Sequence, residues 1–375
     1  MITEHKELAF DFSDASVNRY FTESAIFFDI ETTGFSPART SLYLIGCATR
    51  RGDTLCLDQF FTESTAGESE VLDAFFALLA KKETILTFNG VGFDIPYLKA
   101  KCQSLGVPSP FENHACLDIY KEVSQLKTLL ALPSFKQKSI EIFLGIDRED
   151  LFSGGELIEV YKNYTARPSR EALSLLLQHN YEDVLYMPRL LSLLSYRDML
   201  AGGCTVAGIE ANETHGPDGT IVKELIFTLA CDSPFPKPLS YRFDDCYLTF
   251  RHTDAKLCVR LLDGELRFYF DHPKDYYYRP GEDCAVLKSL ATGVDREHRR
   301  QATAADCYTR KHAIFLPQYG DLFTPAFRKN RKDRKSYFAL TEEFTADPAL
   351  QTQYVRHLLS HMDARRPPLK KDGNV

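Results

Sequence analysis

Apolar and polar positions alternate along the first hundred residues in a way that defines elements. The runs 25–31 (AIFFDIE), 42–49 (LYLIGCAT) and 54–61 (TLCLDQFF) are short, apolar or alternating, and bounded by Gly, Pro and charged turns, which predicts three strands. Residues 69–81 (SEVLDAFFALLAK) place apolar side chains at helical spacing behind acidic first-turn residues. TILTF (84–88) predicts a further strand, Asn89-Gly90 a turn, and 93–105 another helix. This order, three strands and then helix–strand–helix, establishes an α/β class and no more.

A long apolar helical stretch covers 171–200, with Pro188 expected to kink or divide it. Ala201-Gly202-Gly203 reads as a helix stop and a domain boundary. Beyond it the pattern turns to strands: VKELIFTLAC, CYLTFRHT, KLCVRLLDG and ELRFYFDH, with Asp263-Gly264 as a hairpin signal between the last two. A helix is predicted over 283–306, and another over 347–362 with Asp347 as cap and Pro348 in its first turn. The tail RRPPLKKDGNV has the composition of a disordered segment. The expected organisation is a lead-in at 1–24, an α/β domain at 25–200, a smaller β-rich α+β domain at 204–345, and a C-terminal helix and tail at 346–375.

Charge is uneven. Residues 1–200 carry 19 Lys and Arg against 28 Asp and Glu, a net of −9, whereas 296–335 carry 11 against 4, a net of +7. An acidic half with a basic partner suits a metal site plus a phosphate-binding surface; two unrelated domains would show the same imbalance. The sequence contains no run of ~18 apolar residues, so no membrane partner is expected. The acidic start lacks a basic-then-apolar leader, and the ten cysteines form no C-x-x-C pair, so reduced thiols in a cytoplasmic protein are expected.

Three places carry candidate chemistry. In Phe28-Asp29-Ile30-Glu31-Thr32-Thr33-Gly34, Asp29 and Glu31 are two apart on a strand and point to one side. Adjacent carboxylates on a largely buried strand repel one another and lose hydration, and a hard cation such as Mg²⁺ or Mn²⁺ relieves both costs. Asp94 follows a Gly-rich turn at the opening of a helix, where it serves either as a rigid ligand or as a cap. His179 and Asp183, four apart, share a helix face, either as a general base beside a metal ligand or as an exposed polar pair.

The order DIETTG, NGVGFD, HNYED resembles the three exonuclease motifs of the DEDD superfamily and, more closely, the YprB-type ribonuclease H-like proteins, whose connecting segments are similar to 132–150 and 154–164. The resemblance covers about 25–195. It implies an RNase H-like mixed sheet with flanking helices. It also implies two-metal hydrolysis of single-stranded DNA or RNA from the 3′ end, with Mg²⁺ or Mn²⁺ held by Asp29, Glu31, Asp94 and Asp183, and His179 as base. His179 stands at the spacing of the tyrosine class, four before Asp183, whereas Tyr181 is two before and points elsewhere. Thr32 is assigned to the terminal nucleotide and Asn89 and Phe93 to the penultimate one, although Phe93 is equally a core residue. Lys138, with Lys136 and Arg148, is a candidate strand guide. The run Arg328-Lys329-Asn330-Arg331-Lys332-Asp333-Arg334-Lys335 packs six cations into eight residues, either as a solvated loop or as a phosphate contact through Arg328, Lys329, Arg331 and Lys332. An RNase H-like endonuclease and a non-catalytic nucleic-acid-binding protein are the rival functions.

Overall fold

The computed structural model describes residues 1–364 except 150–151, 153, 216–218, 292 and 294; the expected disordered tail lies outside the described residues. Two compact units result: residues 1–197 with 233–237, and residues 198–232 with 238–375.

Unit 1 is a six-stranded sheet between helices. Its strands are β1 (Ile2–Ala9), β2 (Ala25–Thr32), β3 (Leu42–Arg51), β4 (Thr54–Phe61), β5 (Thr84–Thr87) and β6 (Ala115–Asp118). Their order is β1-β4-β3-β2-β5-β6, antiparallel from β1 to β2 and parallel from β2 to β6. The helices are α1 (Ala15–Tyr20), α2 (Glu68–Leu79), α3 (Asp94–Leu105), α4 (Ile119–Ser124), α5 (Lys127–Leu130), α6 (Gln137–Leu144), α7 (Gly154–Ala166), α8 (Arg170–Leu190) and α9 (Leu194–Leu200), the last extending into unit 2. This is the RNase H-like mixed sheet that the motifs imply. Strand β1 carries no element in the sequence reading; only Ile2 and Leu8 are even partly buried, because it is an edge strand paired with β4 alone.

Alternation along β2 divides its side chains between two layers. Ile26, Phe28 and Ile30 join Val71, Leu72, Phe75 and Leu79 of α2 and Tyr97 and Leu98 of α3 in one core. On the other face, Tyr43 and Leu44 of β3 and Phe61 of β4 pack with Leu157, Tyr161 and Tyr164 of α7 and Leu176 of α8. Asp29 and Glu31, out of phase with the first set, therefore face α8. The helical stretch expected over 171–200 is divided just beyond Pro188, which stands in the last turn of α8: the helix gives way after Leu190 to a 3-10 turn at 191–193, and α9 resumes at Leu194.

Unit 2 is β-rich. An antiparallel sheet β7-β8-β11-β10-β9 comprises Cys204–His215, Ile221–Cys231, Asp254–Arg260, Cys246–Phe250 and Leu239–Phe243. A second sheet joins β12 (Leu262–Tyr269), β16 (Tyr308–Tyr319) and β17 (Lys335–Ala339), and a third joins β13 (Tyr276–Arg279), β14 (Cys284–Leu287) and β15 (Arg300–Gln301). Helices α10 (Glu342–Ala346) and α11 (Pro348–Ala364) follow, α11 capped by Asp347, whose Oδ1 accepts from the amides of Ala349 and Leu350. Two expectations are corrected. Among the described residues no α-helix spans 283–306: pairing with the tyrosine strand β13 draws 284–287 and 300–301 into β structure. Asp263-Gly264 makes no hairpin: β11 is already flanked by β8 and β10, so the chain changes sheets at Leu261 and β12 pairs with β16. Among the described residues all ten cysteines are unpaired, and no helix is long and apolar enough to cross a membrane.

Candidate active site

Strand β2 leaves its ladder with β5 after Phe27, so the amides beyond it need other partners. Asp94, first residue of α3, supplies one: its Oδ1 accepts from the Ile30 amide at 3.2 Å. A carboxylate engaged across to β2 is doing more than capping its own helix. It reaches there because Asn89, in left-handed conformation (φ 64°), turns the chain sharply after β5, and because buried Asp118 accepts from the amides of Asn89 and Val91.

From the opposite layer α8 presents His179, Asn180 and Asp183. The His179 Nε2 lies 3.6 Å from Glu31 Oε1 and 3.4 Å from Asp183 Oδ2. One ligand atom from each of Glu31, His179 and Asp183 falls within 4.8 Å of the others. Asn180, fully buried, donates through Nδ2 to Asp29 Oδ2 at 3.1 Å, while its Oδ1 accepts from Gln59 Nε2 at 3.0 Å. Gly46 stands opposite Asp29 on β3, and a Cβ there would meet Asn180 Oδ1 at 2.0 Å, so a strand glycine makes room for the amide.

Electrostatics match the geometry. Burial, then the charges of Asp183, Asp94 and Glu31, hold the Asp29 carboxyl well above its ordinary range, against the lowering effect of the Asn180 hydrogen bond. Burial pushes Asp94 up to about 7. Asp183 is counterbalanced: Arg148 Nη2 binds its Oδ1 at 2.7 Å. The same guanidinium, itself buried, reaches Glu182 and Glu141 at 3.2 Å each. Carboxylates destabilised by burial and by one another, with an imidazole among them, form a donor set that fits a divalent cation.

The sequence-derived residues thus separate. Asp29, Glu31, Asp94, His179 and Asp183 converge. Thr32 donates to the Gly34 carbonyl where the β2–β3 register shifts past Tyr43. Phe93 packs against the α2–α3 core and stands edge-on, at 5.8 Å, to the highly exposed Phe35. Tyr181 points away, under Lys6 Nζ at 3.9 Å. Lys138 is not free to guide a strand, since its Nζ donates to the Phe152 carbonyl at 2.6 Å, and Arg148 is interior. In unit 2, Arg328 binds Asp321 and the Asp333 carbonyl, and Arg331 donates to the Ala304 carbonyl, so both guanidinium groups hold their loop. Lys329 and Lys332 are exposed. Asn180, Asp118, Glu141 and Glu182 carry no role in the sequence reading; the glycine inside LYLIGCAT is the one sequence signal of a close approach at Asn180.

No curated protein matches the chain. Among solved structures it is similar to the family B DNA polymerase of the archaeon Pyrobaculum calidifontis, at 20% identity and TM-score 0.37, over 48% of this chain and 25% of that one. It is also similar to E. coli exonuclease I in a zinc-bound complex with single-stranded DNA, at 13% identity and TM-score 0.27, over 56% of this chain and 54% of that one. The chain thus spans a quarter of the polymerase and about half of the exonuclease. Residues 26–195, the part of unit 1 that contains every one of the converging residues, match the family model of the RNase H superfamily, which supports a nuclease.

Proposed function

We propose that the protein is a divalent-metal-dependent 3′→5′ exonuclease acting on single-stranded nucleic acid. The observation that carries this reading is the convergence of Glu31, His179 and Asp183 within 4.8 Å, beside Asp29 and Asp94, on an RNase H-like sheet. Asp29, Glu31, Asp94 and Asp183 would hold two Mg²⁺ or Mn²⁺ ions. The cations supply Lewis-acid charge at the scissile phosphate. Asn180 fixes the orientation of Asp29, and Arg148 fixes that of Asp183. His179, with its Nε2 between two carboxylates, takes the proton of the attacking water. The resemblance of DIETTG, NGVGFD and HNYED to exonuclease motifs supports the 3′→5′ direction and the single-stranded substrate.

A second role for His179 is favoured by its distances: the nitrogen stands where a third ligand would. Metal titration of His179→Ala separates the two, because a base leaves affinity intact and a ligand lowers it.

End-labelled DNA and RNA strands of matched sequence, incubated with Mg²⁺, Mn²⁺ or EDTA, test the whole reading. A stepwise ladder from the 3′ end that requires metal and vanishes in Asp29→Asn and Asp183→Asn is expected. Internal cuts would make it an endonuclease, and no cleavage of either strand would leave a binding protein.

A further inference from the structure

The carboxyl ends of parallel strands are where ligand crevices open in α/β sheets. At that end of β5 and β6 lies a cavity of about 680 Å³, within the usual range for small-molecule sites. Its wall includes three aromatic rings from separate segments: Phe88 after β5, Tyr120 on α4, and Phe135 in the loop before α6. Phe88 and Tyr120 stand edge to face at 5.8 Å. Two exposed cations, Lys127 and Lys136, share the rim, and Lys127 Nζ lies 5.6 Å from the Phe135 ring centre. Among the described residues neither lysine has an acidic partner.

Half-buried rings lining a cavity, beside ammonium groups without an acidic partner, are complementary to a flat π-system carrying a negative group. The cavity is also tied to the carboxylate cluster. Gln137, in its wall, donates to the Asp183 carbonyl at 3.0 Å and to Glu141 at 2.9 Å, and Asn89, also in the wall, begins the turn that delivers Asp94.

We infer that this cavity binds a nucleotide, with the base against Phe88, Tyr120 and Phe135 and the phosphate at Lys127 and Lys136. The choice of a nucleotide among aromatic anions rests on the nuclease reading. Recognition is expected to be tolerant of base identity, since stacking uses the π-face that every base has. In the working enzyme the site holds one nucleotide of the strand, or the released monophosphate.

The test is binding of nucleoside 5′-monophosphates to the full chain in EDTA, followed by calorimetry, with inorganic phosphate and unphosphorylated nucleoside as competitors. Expected are saturable binding of the monophosphate and at least tenfold weaker binding of both competitors. Phe135→Leu should lose about tenfold, the low end of what one stacked base contributes. Lys127→Ala/Lys136→Ala should bind more weakly and with less salt dependence. Unchanged melting temperatures in these variants would establish that they fold. Absence of monophosphate binding, phosphate competing as well as the nucleotide, or variants that bind like wild type would each overturn the inference. Because binding is measured without metal, the two readings fail separately. Metal-dependent cleavage with unchanged binding in the variants sinks the pocket alone, and nucleotide binding without any cleavage sinks the nuclease alone.

Discussion

At the level of single residues, the site rests on a close approach between a glycine and an amide. Asn180 reaches Asp29 because Gly46 offers no Cβ. Gly46→Ala should cost about 1–3 kcal/mol by overpacking. Removing the obstruction with Asn180→Ala should recover much of that loss, so that a double-mutant cycle in urea gives strong coupling; additive losses would separate the two residues. Asp94 gives a pH prediction. Its folded value of about 7 lies above the unfolded value near 3.9, so the folded state binds the extra proton. Its contribution is fully present below about pH 4 and is lost as pH rises through about 7, at about 1.4 kcal/mol per unit of difference. In EDTA the wild type should therefore lose melting temperature between pH 5 and 8, and Asp94→Asn should lose less. Identical slopes would mean that Asp94 is ionised throughout. The spacings within DIETTG and HNYED made the shared faces of Asp29 with Glu31 and of His179 with Asp183 legible, because strand and helix periodicities set which side chains lie together; Asp94 entered through the motif resemblance. Asn180 was not legible, since its role depends on where α8 crosses β3, which no local pattern encodes.

The elements that frame the site are held by one interior cation. Arg148, in the segment after α6, binds Glu141 of α6 and Glu182 and Asp183 of α8. Removing one member of a buried ionic group leaves uncompensated charge, so Arg148→Met should destabilise by about 3–5 kcal/mol. Arg148→Lys keeps the charge but loses the planar fork, and should fall between the two. Denaturant unfolding measures both, and a stable Arg148→Met protein would show that the acids are adequately solvated. In sequence, nothing marks Glu182 and Arg148 reads as a strand guide, because the pairing joins residues more than thirty apart. The helix expected over 283–306 failed for a related reason: cross-strand partners from β13 decide the outcome there. Strand β1 escaped notice because an edge strand exposed on both faces shows little alternation.

For the whole molecule, charge and fold divide between the two units. The basic run of unit 2 is half structural. Arg328→Ala should destabilise that unit by about 1 kcal/mol, a modest value because the pair with Asp321 is partly exposed. Lys329→Ala/Lys332→Ala should leave stability within about 0.5 kcal/mol. If these lysines meet phosphate, the double variant should flatten the salt dependence of single-strand binding by ~0.7 for each lysine–phosphate pair removed; an unchanged slope would make the segment a solvated loop.

Unit 1 does not finish where its sheet and helices finish. Residues 233–237 return to it from within the sequence of unit 2. Phe235, fully buried, stacks on Tyr196 at 5.2 Å, and the Lys237 amide donates to the Tyr196 hydroxyl at 3.1 Å. During synthesis unit 1 therefore cannot close its last aromatic pair when its own final helix leaves the ribosome. It must wait for the hairpin of β7 and β8 and the five residues beyond. Tyr196 stays uncovered over that interval, and the hairpin emerges before the unit ahead of it is complete. A chain that passes three times between its two units in this way is expected to mature as a pair, with neither unit released as a finished module by one cut in the polypeptide.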